Sequence, residues 1–212
     1  MDQHDNPYAA PRVSLVDNAE ARTLENWSPG RLQLLGYLNL VAAFGSVVSL
    51  ALALSAGFLG DASLESFADW LSPAVTLLGC YLLLQLKGFA EQRFAAQHLS
   101  RSTWAVLIWG LLVMMLDLLW KDALGELNWR MFVYLAFIAV YGAFLAWLGF
   151  RLRQVQNAYP AFRLLAWLEL IGGLLLASVI LFMLALLPLI GASIAMAWVF
   201  FQAAAEQKRQ AA

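Results

Sequence analysis

Residues 163–206 read RLLAWLELIGGLLLASVILFMLALLPLIGASIAMAWVFFQAAAE, and Glu169 is the single charged side chain between Arg163 and Glu206. As one helix, the about 42 intervening residues would reach roughly 63 Å, twice the hydrocarbon core of a bilayer. The stretch therefore predicts two crossings, residues 164–186 and 188–204, with Pro188 at the start of the second and a charge-free turn at residues 186–191.

The rest of the chain has the same character. Hydrophobic residues make up 62% of it and charged residues only 13%, well away from the balance of a water-soluble domain. Thirteen basic and 14 acidic residues leave a formal charge of -1, which gives no footprint for nucleic acid. Lipid is the expected solvent and the first expected partner. Cys80 is the only cysteine, and the two histidines, His4 and His98, lie far apart, so neither a disulfide nor a His/Cys metal centre is expected. The N-terminus lacks the basic-then-apolar pattern of a secretory signal. The first spanning helix is expected to target the chain.

Outward from the opening stretch, four more apolar runs appear, at residues 32–59, 72–89, 103–120 and 131–150. Ser28-Pro29 and Ser72-Pro73 read as helix starts. Asp61, Glu65 and Asp69 read as a short acidic connection between the first two helices. The expected organisation is a flexible tail at residues 1–30, a six-helix domain at residues 31–204 and a short tail at residues 205–212. The fold class is thus an all-α integral membrane bundle of six transmembrane helices, arranged as three tandem antiparallel hairpins. With six crossings, eleven of the 13 Lys and Arg residues fall on one side and only Lys121 and Arg130 on the other. Short basic loops stay cytoplasmic, so both termini are expected there.

A weak internal repeat supports the hairpin reading. Leu34-Leu35-Gly36-Tyr37-Leu38-Asn39-Leu40-Val41 matches Leu164-Leu165-Ala166-Trp167-Leu168-Glu169-Leu170-Ile171 at four of eight positions. Pro73 also aligns with Pro188, and Ala90-Glu91-Gln92-Arg93 with Ala205-Glu206-Gln207-Lys208, without a gap.

Four polar residues inside or near the apolar runs are candidates for function. Glu169 lies about two turns beyond Arg163, where a carboxylate must be paired, protonated or used. Its expected role is a structural acid paired with Arg163 in the cytoplasmic half of helix five; its alternative role is a proton- or cation-binding group on a pathway. Asn39 holds the matching position in helix one and reads as interhelical glue. Gln85 carries the same two readings. Asp117 is within reach of Lys121 one turn on, an exposed helix-end pair. The face through Ala139, Gly142, Ala143, Ala146 and Gly149 lets helix four approach a neighbour closely. No phosphate loop, nucleophile elbow or zincin motif occurs. No catalytic residue, cofactor or metal is therefore predicted.

In the tail, Asn6-Pro7-Tyr8-Ala9-Ala10-Pro11 resembles the Asn-Pro-Tyr-x-x-Pro element near the N-terminus of many small, uncharacterised bacterial multi-pass inner-membrane proteins. The resemblance implies a bacterial inner-membrane location and no particular activity. Physically, prolines around an aromatic make a stiff, extended segment, and Asn6, Pro7, Tyr8 and Pro11 form a candidate docking element. The first functional expectation is a non-enzymatic accessory or interaction protein with a membrane-protein partner or a second copy of itself. The alternatives are a small transporter or channel using Glu169 and Asn39, and a membrane-embedded immunity protein.

Overall fold

Local capping chemistry sets where each helix begins. In the computed structural model, which describes residues 27–120 and 128–210, α1 (Pro29–Leu59) starts where Ser28 Oγ accepts the Arg31 amide at 3.2 Å and Pro29 occupies the first turn. It stops at Gly60, whose φ of 64° is the left-handed conformation that closes a helix. α2 (Ala62–Phe94) follows at once, because Asp61 accepts both the Ser63 amide at 2.8 Å and the Ser63 hydroxyl at 2.6 Å. Those two bonds, the hydroxyl's first, hold the Asp61 carboxyl below the usual carboxylate range. A 3-10 turn at Gln97–Leu99 leads into α3 (Ser100–Leu119). Asn128 caps α4 (Trp129–Arg153) by accepting the Arg130 and Met131 amides. α5 (Pro160–Ala177) and α6 (Phe182–Gln210) complete the fold.

All six helices are long and apolar enough to cross a membrane. The chain is a multi-pass membrane protein, and its described residues form an all-α, six-helix fold.

Three expected boundaries are corrected, the simplest being that α6 continues to Gln210, so residues 205–210 of the expected tail are helical. The second helix begins at Ala62 rather than residue 72, so Glu65 and Asp69 lie within the first turns of α2, and Pro73 is inside it. At 33 residues α2 is about 50 Å long, so the acidic turns before Pro73 can project beyond the hydrocarbon core. The last turn also moves: helix five ends at Ala177 and α6 begins at Phe182, placing Pro188 inside a helix and the break at residues 178–181. A proline is tolerated inside a spanning helix when nearby groups satisfy the freed backbone. The break itself is made by Ser178 and Val179. Ser178 Oγ donates to the Leu175 carbonyl at 2.6 Å and accepts the Leu181 amide at 3.2 Å, while Val179 adopts φ 61°.

Each helix packs on its neighbours in chain order, and α6 returns to pack on α1. The described helices thus form a closed ring, with none of them along its axis. The most extensive pairing is α4 with α5, which joins two of the expected hairpins. A Cβ added to Gly142 would lie 2.4 Å from the Ala177 backbone nitrogen, and one on Gly173 would lie 2.3 Å from that of Ala146. Backbones this close require glycine at both positions. On the other side of the ring, Gly36 of α1 takes the Phe201 ring of α6, which also meets Tyr37 edge-on at 5.2 Å.

One end of the ring gathers the first and last described residues. Trp27 Nε1 donates to Gln92 Oε1 at 2.7 Å, and Gln207 Nε2 donates to the Trp27 carbonyl at 2.6 Å. These two glutamines are equivalent in the repeat alignment, so its two matching ends converge on one tryptophan. Beside them, Arg93 pairs with Glu206, and the Tyr159 phenol donates to the same carboxylate while accepting from Arg93 Nε at 3.3 Å. Burial pushes the Tyr159 phenol up to about 12, and donation to Glu206 adds to the shift, so it stays a proton donor at ordinary pH. Phe89, Phe94 and Phe162 pack around this cluster.

Breaking the cluster has a defined expected cost. Arg93 is buried while Glu206 is 34% exposed, so Arg93→Met should lower unfolding free energy by about 2 kcal/mol, less than for a fully buried pair. The double variant with Glu206→Met should recover part of that loss, because no charge is then left unpaired. Thermal unfolding in mild detergent measures both; equal losses in the single and double variants would show that the ion pair is not the source.

Candidate functional site

Glu169 is the tenth of the 18 residues of α5, about 12–14 Å from either end of the helix. The early end of α5 at Ala177 puts it there. The expected place in the cytoplasmic half, near Arg163, is therefore corrected to the middle of the helix. The expected pairing is corrected too. Six residues turn an α-helix by about 600°, which sets Arg163 and Glu169 on different faces. Arg163 is exposed, Glu169 is 8% exposed, and Glu169 Oε2 is buried with no hydrogen-bond partner.

The aim of this side chain follows from how α5 is wedged in the ring. Gly173, one turn after Glu169, lies against Ala146 of α4, and Gly172 lies against Leu189 of α6. Residues three and four apart share a helix face. Glu169 consequently points between α4 and α6 towards the ring axis.

There it lines a cavity of about 240 Å³ to which every helix contributes. Ser46 comes from α1, Thr76 and Cys80 from α2, Tyr141 from α4 and Ser193 from α6. From α3, Val106 and Gly110 close the wall, and Gly110 makes room for the Tyr141 ring, 3.2 Å from where its Cβ would be. Most of the remaining lining is aliphatic. Pro73 and Pro188 lie three and five residues before Thr76 and Ser193, so these two cavity hydroxyls each follow a point where the helix lacks a backbone donor.

The hydroxyls are oriented by their own helices. Ser46 Oγ donates to the Ala42 carbonyl at 2.9 Å, Thr76 Oγ1 to Ser72 at 3.0 Å and Ser193 Oγ to Leu189 at 3.4 Å. Each has spent its proton within the helix and retains lone pairs. With the Glu169 carboxyl, the cavity is rich in acceptors. The chemical complement is a group that brings donors or positive charge.

No protein-family model, curated protein or solved structure matches the chain. Its own geometry must carry the functional argument.

The other expected residues do not join Glu169. Asn39 is buried, but its amide donates to the Leu35 carbonyl at 2.8 Å in its own helix rather than across to a neighbour. Gln85 accepts from Arg31 at 3.0 Å at the end of the ring where Trp27 lies. Asp117 accepts from the Tyr134 hydroxyl at 3.1 Å, tying α3 to α4; its expected partner Lys121 is outside the described residues. Asn6, Pro7, Tyr8 and Pro11 also lie outside them. Among the described residues, no group of three His, Cys, Asp or Glu side chains is placed to hold a metal. Tyr141, Thr76, Cys80 and Ser193 were not legible as site residues, and only the position of the two hydroxyls shortly after a proline marks them in the sequence.

Proposed function

We propose that the protein is a non-enzymatic carrier of the bacterial inner membrane that binds a small organic cation at Glu169, inside the helix ring. The carrying observation is the buried, unpartnered Glu169 Oε2 facing a cavity lined by all six helices. An ionisable group inside the membrane is a functional group by default. A hard divalent ion would ask for six or more oxygen ligands with several charges, whereas the lining holds a single carboxyl, three aliphatic hydroxyls and a phenol among largely aliphatic walls. A small alkylammonium matches it better, its donors meeting Glu169 and the hydroxyl lone pairs and its carbon skeleton meeting the aliphatic wall.

The positive-inside bias supports cytoplasmic termini, since six crossings sort eleven of the 13 basic residues in the sequence to one side. The tail hexapeptide supports a bacterial inner membrane. The small-residue face of helix four is covered by α5 within the chain.

The test is protection from modification. A hydrophobic carbodiimide should label Glu169, a small maleimide should label Cys80, and ethylammonium should slow both reactions saturably in reconstituted protein. Labelling that is indifferent to ethylammonium, together with ethylammonium flux no faster than in empty liposomes, would remove the carrier reading.

A further inference from the structure

A second concavity, of about 520 Å³, lies at the corner where α4 ends and α5 begins, well away from the central cavity. Arg153, Gln154, Gln156, Asn157, Arg163 and Trp167 line it, and all six are exposed. Its walls present two guanidinium groups and three carboxamides, with no carboxylate. Neither Arg153 nor Arg163 forms a salt bridge among the described residues. Arg153 instead lies over the Trp167 ring, 3.8 Å from its centroid, a stacking that fixes the guanidinium plane and leaves its edge open. The first turn of α5 has no acidic residue and no side-chain cap. Positive charge thus accumulates here without an internal counter-charge.

The surroundings indicate the form in which that counter-charge arrives. Trp167 belongs to an exposed apolar stripe, Leu164, Trp167, Ile171 and Leu174, that runs down one face of α5 from the basic corner towards mid-helix and beyond. Arg153 ends α4 and Arg163 lies in the first turn of α5, where arginine marks the headgroup level, and Trp167 lies about one turn deeper. A polar, basic hollow at that level, continuous with an apolar track into the hydrocarbon layer, has the two-part chemistry of a phospholipid. We propose that this corner binds an anionic phospholipid, its phosphate held by Arg153 and Arg163 and an acyl chain lying along Trp167, Ile171 and Leu174.

The experiment uses the full chain in mild detergent, titrated with phosphatidylglycerol, phosphatidylcholine or inorganic phosphate, with retained lipid read by native mass spectrometry. Phosphatidylglycerol should be retained in preference to phosphatidylcholine, and millimolar inorganic phosphate should not displace it. The Arg153→Gln/Arg163→Gln variant should bind phosphatidylglycerol roughly thirtyfold more weakly, the loss of two headgroup-level charges. Gln156→Glu, which keeps both arginines and adds a repelling carboxylate, should also weaken retention. Unaltered phosphatidylglycerol binding in both variants, equal retention of phosphatidylcholine, or displacement by phosphate alone would each overturn the proposal. Both variants leave Glu169 and its cavity intact, so ethylammonium protection of Cys80 reports separately on the carrier reading.

Discussion

Gly173→Leu is expected to prevent α5 from seating on α4 and to lower the stability of the bundle by about 3–5 kcal/mol, at the upper end for an overpacking substitution. The reason is the identity of the atoms it meets. An added Cβ would lie 2.3 Å from the Ala146 nitrogen and 2.7 Å from the Gly142 carbonyl oxygen, both backbone. A crowded side chain can change rotamer, but a helix backbone moves only as a whole. The two helices would have to part along the entire seam, including the approach of Gly149 to Leu170. Gly57→Ala is the matching control. Nothing lies within 4 Å of a Cβ at Gly57, so the change should leave stability intact or raise it by about 0.5–1 kcal/mol through helix propensity. Unfolding followed by tryptophan fluorescence distinguishes the two, and a Gly173→Leu protein as stable as the parent would mean that the seam is not closed as described.

The second large effect has opposite signs for stability and for binding. Glu169→Met keeps the volume of the side chain and removes a buried polar atom without a partner, so it should stabilise the bundle by about 1–3 kcal/mol. Glu169→Gln should abolish ethylammonium protection of Cys80, because it removes the anionic partner while keeping the shape. A structural acid held by a hidden partner would behave otherwise. Both substitutions would then destabilise the protein, since each would strand that partner. Parallel stability and protection measurements on the two variants separate these cases. Loss of stability in both would leave Glu169 a structural residue.

The number and kind of helices were legible in the sequence, because apolar runs of such length with at most one charge have few other solutions in a membrane. Their ends were less so. The last turn carries neither glycine nor proline nor charge; it is made by a serine that bonds in both directions and a valine with a left-handed backbone. Pro188 misdirects, since a proline that looks like a helix start is accommodated seven residues into α6. Asp61 capping a helix that runs straight through Ser72-Pro73 is the same lesson at the other proline. Glu169 stood out as an unusual acid from its surroundings alone. Its partners in the cavity did not, because several helices each contribute a single polar residue, and which residues converge depends on the ring having closed. Asn39 holds the repeat position equivalent to Glu169 yet bonds within its own helix, and Gln85 lies at the end of the ring, so neither adds a second polar group to the pathway alternative.

Closure of the ring also imposes a waiting time on the first helix. The Phe201 ring that covers Gly36 of α1 is made about 165 residues after Gly36, roughly ten to thirty seconds later at ordinary translation speed. During that interval α1 sits in lipid without its final neighbour. Asn39, its most costly side chain to leave unpaired there, already donates to the Leu35 carbonyl of its own helix. The self-directed hydrogen bond equips the first-made helix to persist in the bilayer until the last one arrives.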